Sequence, residues 1–232
     1  MLFFIFAYHL LKELPMLTRD YIMRMIDTLI KVLSRILFLK NGKNFPEALK
    51  ELDSVTKELL GMDRMFIHSL SDEQLVQLME KEGNLLAPKC YLLGIVFKEE
   101  AEIFKLQGDE ESSIEFYMRS LYMFIAGIES SNTLIEKNHL DKIDEVIDKL
   151  SDYVIPHDIG EKLLYYYEFT SRFDKTENLL YSLIDEDSSF IDKGIIFYQR
   201  LLLKNDSELE KGNLPRNEVE ESLADLKSKK NN

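Results

Sequence analysis

Phe97-x3-Ala101-x2-Phe104-x3-Gly108-x4-Ser113-x3-Tyr117-x2-Ser120-Leu121 is the stretch whose reading decides the fold. Apolar and small residues recur at spacings of three and four on both sides of Gly108, as on the inner faces of two helices. Small Ala101, Ser113 and Ser120 let the two backbones approach closely. Phe97, Phe104 and Tyr117 fill the space between helical units, and Gly108 supplies the tight turn.

Two further segments carry the same offsets. Val32, Ile36, Leu39, Lys43, Ala48, Leu52 and Val55 form one, and Gly160, Leu164, Tyr167, Ser171, Thr176, Leu180 and Leu183 the other. Both lack the turn glycine, with Lys43 and Ser171 in its place. The small second-helix positions Ala48, Ser113 and Thr176 lie 65 and 63 residues apart. The repeating unit is then either a hairpin plus one extra helix (71–82, 139–152, 189–204), or two periods of which one has decayed.

Helical periodicity continues outward from there. Residues 19–40 set Arg24, Asp27, Thr28, Lys31 and Arg35 on a narrow polar stripe. The rest is apolar, which predicts a central helix or a dimer face. Asn41-Gly42 is expected to end it through a left-handed Gly42, and Asn44 to cap the next helix, which stops at Gly61. Ser71 and Gln74 form a capping-box pattern. Helices are predicted over 89–107 and 110–129, then over 139–152, from Pro156 to about 170, and over 175–185 with Asp174 as cap. Two more cover 189–204 and 216–228, followed by a frayed tail. Val154-Ile155 alone looks strand-like.

The 97–121 stretch resembles the tetratricopeptide repeat at nearly every signature position. That resemblance implies an all-α, right-handed solenoid of about three helical hairpins with additional helices between them. A plain tetratricopeptide array repeats about every 34 residues. In such proteins first-helix positions line a concave surface. Carried over, these are Lys98, Glu102 and Lys105, with Ile95 and Leu106, in the middle unit, and Glu161, Tyr165 and Glu168, with Phe169, in the last. The carboxylate-clamp set of chaperone-binding members is absent. Over about 17–228 the chain is also similar to a group of uncharacterised Firmicute proteins of unknown function. Thr18-Arg-Asp-Tyr-Ile-Met-Arg-Met-Ile26, Lys98-Glu-Glu-Ala-Glu-Ile103 and Leu214-Pro-Arg-Asn-Glu-Val-Glu-Glu221 carry that likeness.

Composition narrows the function classes. The 232 residues include only 9 Gly and 5 Pro, too few turns for an all-β chain. The formal net charge of −13 argues against nucleic-acid binding, which needs a basic footprint. Cys90 is the single cysteine, so no internal disulfide forms and a reducing cytoplasm fits. The histidines His9, His68, His139 and His157 are scattered, and no metal site is expected. There is no phosphate-binding glycine loop and no nucleophile elbow. Gly94, Gly127, Gly160 and Gly194 fall within helices and are read as close-packing positions. Pairs such as Glu99-Glu100 and Glu110-Glu111 are read as a solvated face. Tyr165-Tyr166-Tyr167 cannot all face inward, because neighbours on a helix sit about 100° apart. Tyr167 is assigned to the core and Tyr165 to the groove.

Residues 1–11 are strongly apolar but too short to span a bilayer, which takes about 20 residues. They are read as part of an over-extended start before Met16, as a docked helix, or as an interfacial anchor. The expected organisation is therefore an N-terminal extension (1–15), a helical domain (16–206) and a capping helix with tail (207–232). The expected function is a cytoplasmic, non-enzymatic module without cofactor, binding an unidentified protein or peptide in its concave face. The alternatives are a homodimer through the 19–40 helix, or peripheral membrane association through the N-terminus.

Overall fold

The computed structural model describes residues 16–80, 86–130 and 137–231, so the apolar stretch 1–15 lies outside the described residues. Twelve helices and no strand occur among the described residues. They are α1 (Met16–Asn41), α2 (Phe45–Leu60), α3 (Arg64–Ser69), α4 (Asp72–Glu80), α5 (Leu86–Gln107) and α6 (Glu110–Glu129). Then come α7 (Lys137–Lys149), α8 (His157–Phe169), α9 (Phe173–Glu186), α10 (Phe190–Leu201), α11 (Asp206–Lys211) and α12 (Arg216–Lys230). The chain divides into two compact units, Met1–Tyr153 and Val154–Asn232.

Three hairpin turns share one geometry. At each, a single residue takes the left-handed conformation: Lys43 (φ 54), Gly108 (φ 82) and Ser171 (φ 57). The N–H of that residue donates three residues back, to the carbonyls of Lys40, Lys105 and Glu168 at 2.9, 3.1 and 3.0 Å. The next N–H donates five back, to Leu39, Phe104 and Tyr167 at 2.9, 3.0 and 2.8 Å. These paired bonds satisfy the last carbonyls of the first helix, the Schellman arrangement. Four residues further on, the N–H groups of Ala48, Ser113 and Thr176 open the second helix by donating to Asn44, Asp109 and Arg172. All three small residues are buried, so the second helix starts pressed against the first.

The turns also correct the reading of the first hairpin. Gly42 does not take the left-handed conformation; Lys43 does. Asn44 makes no side-chain cap bond. Likewise α9 begins at Phe173, ahead of Asp174, which sits inside its first turn. Where Asp109 occupies the cap position, its carboxylate accepts from the Ser112 N–H at 3.1 Å. The Ser71–Gln74 capping box forms in both directions, at 3.2 and 2.9 Å.

In the first unit α1 pairs with α2 and α5 with α6, while α2 also packs on α5, and α7 on α6. The α5–α6 contact is the tightest. A Cβ at Gly94 would lie 2.5 Å from the Phe124 ring, and one at Gly127 would lie 3.3 Å from the Ala87 carbonyl. The Ser120 hydroxyl donates to the Gly94 carbonyl at 2.7 Å. The short α3, which the apolar pattern does not announce, and α4 are inserted between the hairpins. Two buried charges hold them. Glu100, on α5, is 0% exposed and accepts from Arg64 and pairs with His68 at 3.0 Å, both on α3. Arg119, on α6, donates to Asp72 at 2.8 Å and to the Leu70 carbonyl at 3.0 Å, and lies over the Phe97 ring. Glu100 is thus no part of a solvated face, whereas Glu110 and Glu111 are exposed.

In the second unit α8 pairs with α9, and α10 packs on both α9 and α12. The 190–201 helix is therefore one limb of a second helix pair, with short α11 in the connection. α12 runs on to Lys230 and shares one core with α9 and α10 through Phe173, Leu180, Phe197, Tyr198, Leu223 and Leu226. Each such side chain contributes roughly 1.5–3 kcal/mol on burial. A Cβ at Gly194 would lie 2.5 Å from Leu226 and 2.9 Å from Leu180, which fixes how closely α10 approaches both neighbours.

Candidate functional site

Two ion pairs cross from α8 to α10 at matching intervals. Glu161 pairs with Lys193, and seven residues on in each helix Glu168 accepts from Arg200 Nε at 2.7 Å and from its Nη2 at 2.5 Å. Equal spacing on both sides means the two helices run side by side in the same direction. Between them lies a cavity of about 260 Å³. Thr176 and Leu180 of α9 line it, with Leu164 and Tyr165 from α8 and Ile196 and Phe197 from α10. One wall carries the two carboxylates and the other the two cations. The hydrogen bonds from Arg200 to Glu168 hold the guanidinium above its ordinary pKa. The Thr176 hydroxyl donates to the Arg172 carbonyl at 3.1 Å.

Glu161, Tyr165 and Glu168, singled out in the sequence, thus share one cavity. Tyr166 and Tyr167 are buried, while Tyr165 is 38% exposed and stacks on exposed Phe169 at a centroid distance of 6.0 Å. The opposite wall, Lys193, Ile196 and Arg200, escapes a reading that treats 189–204 as an accessory helix. A signal was present all the same: Lys193 and Arg200 repeat the seven-residue interval of Glu161 and Glu168.

The middle-unit residues are placed otherwise. Lys98 is buried, with its Nζ 2.6 Å from Glu102 and 3.0 Å from Glu145 of α7. Glu102 also accepts from Lys40 of α1, which reaches Glu99 at 2.6 Å. Lys98 and Glu102 are therefore engaged within a network joining α1, α5 and α7, in which Lys98 is buried and Glu102 half-buried. Burial works against the charged forms, but the hydrogen bonds and opposite charges outweigh it. They hold Lys40 and Lys98 above the ordinary lysine value and Glu102 below the ordinary carboxylate value. Ile95 is buried, whereas Lys105 and Leu106 are exposed at the far end of α5.

A second surface feature lies on α1. Ile22, Met25, Ile26, Leu29 and Ile36 are buried, but Leu37 and Phe38 are 57% and 76% exposed, with exposed Ile30 two helical turns before them. Among the described residues no three His, Cys, Asp or Glu side chains converge on a common point. His9 and the side chain of His139 lie outside the described residues. No helix among the described residues is long and apolar enough to cross a membrane.

What these features define is an all-α protein of matched helical hairpins. More particularly, residues 16–231 match the profile of DUF6483, a family of unknown function, and the chain belongs to that family. No curated protein and no solved structure matches it.

Proposed function

We propose that this protein is a non-enzymatic, cytoplasmic module of tetratricopeptide-like hairpins that binds a protein or peptide through the α8–α10 groove. The observation that carries the reading is the cavity lined by Leu164, Tyr165, Ile196 and Phe197 and bordered by two cross-groove ion pairs. The solenoid part of the proposal rests on the three turns of equal geometry. It also rests on Gly160 and Gly194, which lie 34 residues apart in adjacent parallel helices, the tetratricopeptide period. First helices of successive repeats line the concave face in such folds, and α8 and α10 stand in that relation. At about 260 Å³ the cavity falls just under the roughly 300–1,000 Å³ common for small-molecule sites. That size favours a side-chain contact over a cofactor.

A random peptide library displayed on phage and selected against the full chain tests this. Selected peptides, measured by fluorescence polarisation, should lose at least about tenfold in affinity on Tyr165→Ala or Ile196→Ala. The urea midpoint should stay unchanged. Equal affinity for the parent and both variants, or no selected binder, refutes the groove.

Exposed Leu37 and Phe38 favour a second reading, a homodimer through α1. Light scattering at micromolar concentration should then show twice the mass of 27.3 kDa, and Phe38→Glu should return a monomer. A monomeric parent protein ends that reading.

A further inference from the structure

The groove's polar groups are already spoken for. Glu161 and Lys193 neutralise one another, as do Glu168 and Arg200, and the Thr176 hydroxyl is bonded to backbone. An ionic occupant would compete with a partner already in place at each charge, and exchanging one solvent-exposed ion pair for another gains little. Available without rearrangement is the apolar lining: Leu164 and Tyr165 on one side, Leu180 beneath, Ile196 and Phe197 on the other. The two ion pairs also limit what enters. Seven residues of helix at 1.5 Å each set them roughly 10 Å apart along the groove. A helix with its side chains is about 10–12 Å across, so the backbone of a helical partner stays outside and only its side chains pass between them.

We infer that the α8–α10 groove is a socket for one uncharged, apolar side chain, leucine or aromatic, presented by a polypeptide partner that lies across the two ion pairs. This rests on the peptide-binding reading above and specifies the chemistry of its anchor. Tyr165, Phe169 and Ile196, all partly exposed, form an apolar rim beside the socket. Such an anchor in a pocket within a water-excluding rim is the usual arrangement of an interface hot spot. The charges of the rim contribute orientation and little affinity, because each already has its partner.

Capped amino acids isolate the side-chain term, since their backbones are identical. The full chain, with Leu and Ile methyls labelled, is titrated with N-acetyl-phenylalanine amide, N-acetyl-lysine amide and N-acetyl-glutamate amide. The phenylalanine probe should shift the methyls of Leu164, Leu180 and Ile196 in a saturable way at millimolar concentration. The lysine and glutamate probes should bind at least about fivefold more weakly. Ile196→Glu, a change at a position 51% exposed, should abolish the phenylalanine response while methyls of the first unit keep their positions. A charged probe binding as tightly as phenylalanine overturns the apolar socket and leaves the peptide-binding reading intact. A phenylalanine response at other methyls, or none, also overturns it, and the peptide reading is then decided separately by the polarisation assay.

Discussion

Replacing Lys43 or Ser171 with glycine should stabilise the protein, and replacing Gly108 with alanine should destabilise it. The three residues hold one backbone conformation, with φ of 54, 57 and 82°, and make the same two backbone hydrogen bonds. A residue with a Cβ bears about 1–2 kcal/mol in the left-handed region. Glycine avoids this but gains unfolded-state entropy that returns about 0.4–1 kcal/mol. The net expectation is about 0.5–1 kcal/mol of stabilisation for Lys43→Gly and for Ser171→Gly, and a similar loss for Gly108→Ala. Both side chains removed are exposed, so no packing is sacrificed. The shift in melting temperature should differ between units, because a smaller cooperative unit has a smaller unfolding entropy. A change of 1 kcal/mol moves the midpoint by about 4–8 °C in a domain of 60–100 residues and about 2–4 °C in one of 150–250. Ser171 lies in the smaller unit and should show the larger shift. Urea titrations give the free energies directly if the slopes are unchanged. Unchanged or lowered stability in both glycine variants, with a neutral Gly108→Ala, would refute the claim that these turns are equivalent.

Glu100→Ala should cost about 3 kcal/mol, the low end for removing one partner of a buried pair, because Arg64 and His68 keep some solvent contact. Hydrogen exchange should accelerate over α3 in that variant, and an unchanged rate there would show that Glu100 does not anchor the insertion. Gly94→Ala should cost about 1–3 kcal/mol by overpacking, since the new methyl meets the buried Phe124 ring rather than a flexible chain end. Equal urea midpoints for this variant and the parent would contradict the close α5–α6 approach.

The network around Glu102 predicts a pH dependence. Its carboxyl is lowered in the folded state, so its stabilisation is full above the unfolded value, about 4.3, and fades as pH falls through the folded value. Lys40 and Lys98 are raised, so their share is full below about 10.4 and fades as pH rises through their folded values. The stability difference between the parent and Glu102→Gln should be flat from about pH 6 to 9 and shrink in acid. A difference that grows as pH falls would overturn the assignment.

Much of the fold is legible locally because helices report themselves through spacing. The runs at 45–60, 110–129 and 157–169 each carry a period of three and four and end at a turn residue. The offsets around Phe97–Leu121 are specific enough to align Lys43 and Ser171 with Gly108, and the structure gives all three the same φ sign. Tyr165, Glu161 and Glu168 are legible for the same reason, as one face of one helix. What does not show is which charges are buried. Glu100 and Glu110 look alike in a run of acidic residues, yet one is sealed against α3 and the other is in water. Short α3 and α11 carry too few residues to display a period.

The sequence alone determined that this chain is helical, where three of its hairpins turn to within a residue, and which small residues let helices touch. Those are properties of neighbours within a few residues of one another. Only the tertiary structure decided that Lys98 and Glu102 serve an internal ion network, that the 190–201 helix has a partner in α12, and that Lys193 and Arg200 face Glu161 and Glu168 across a groove. Each of these depends on residues some 30 to 60 positions apart meeting in space. A charge on a helix surface looks the same in sequence whether a partner helix or water lies over it.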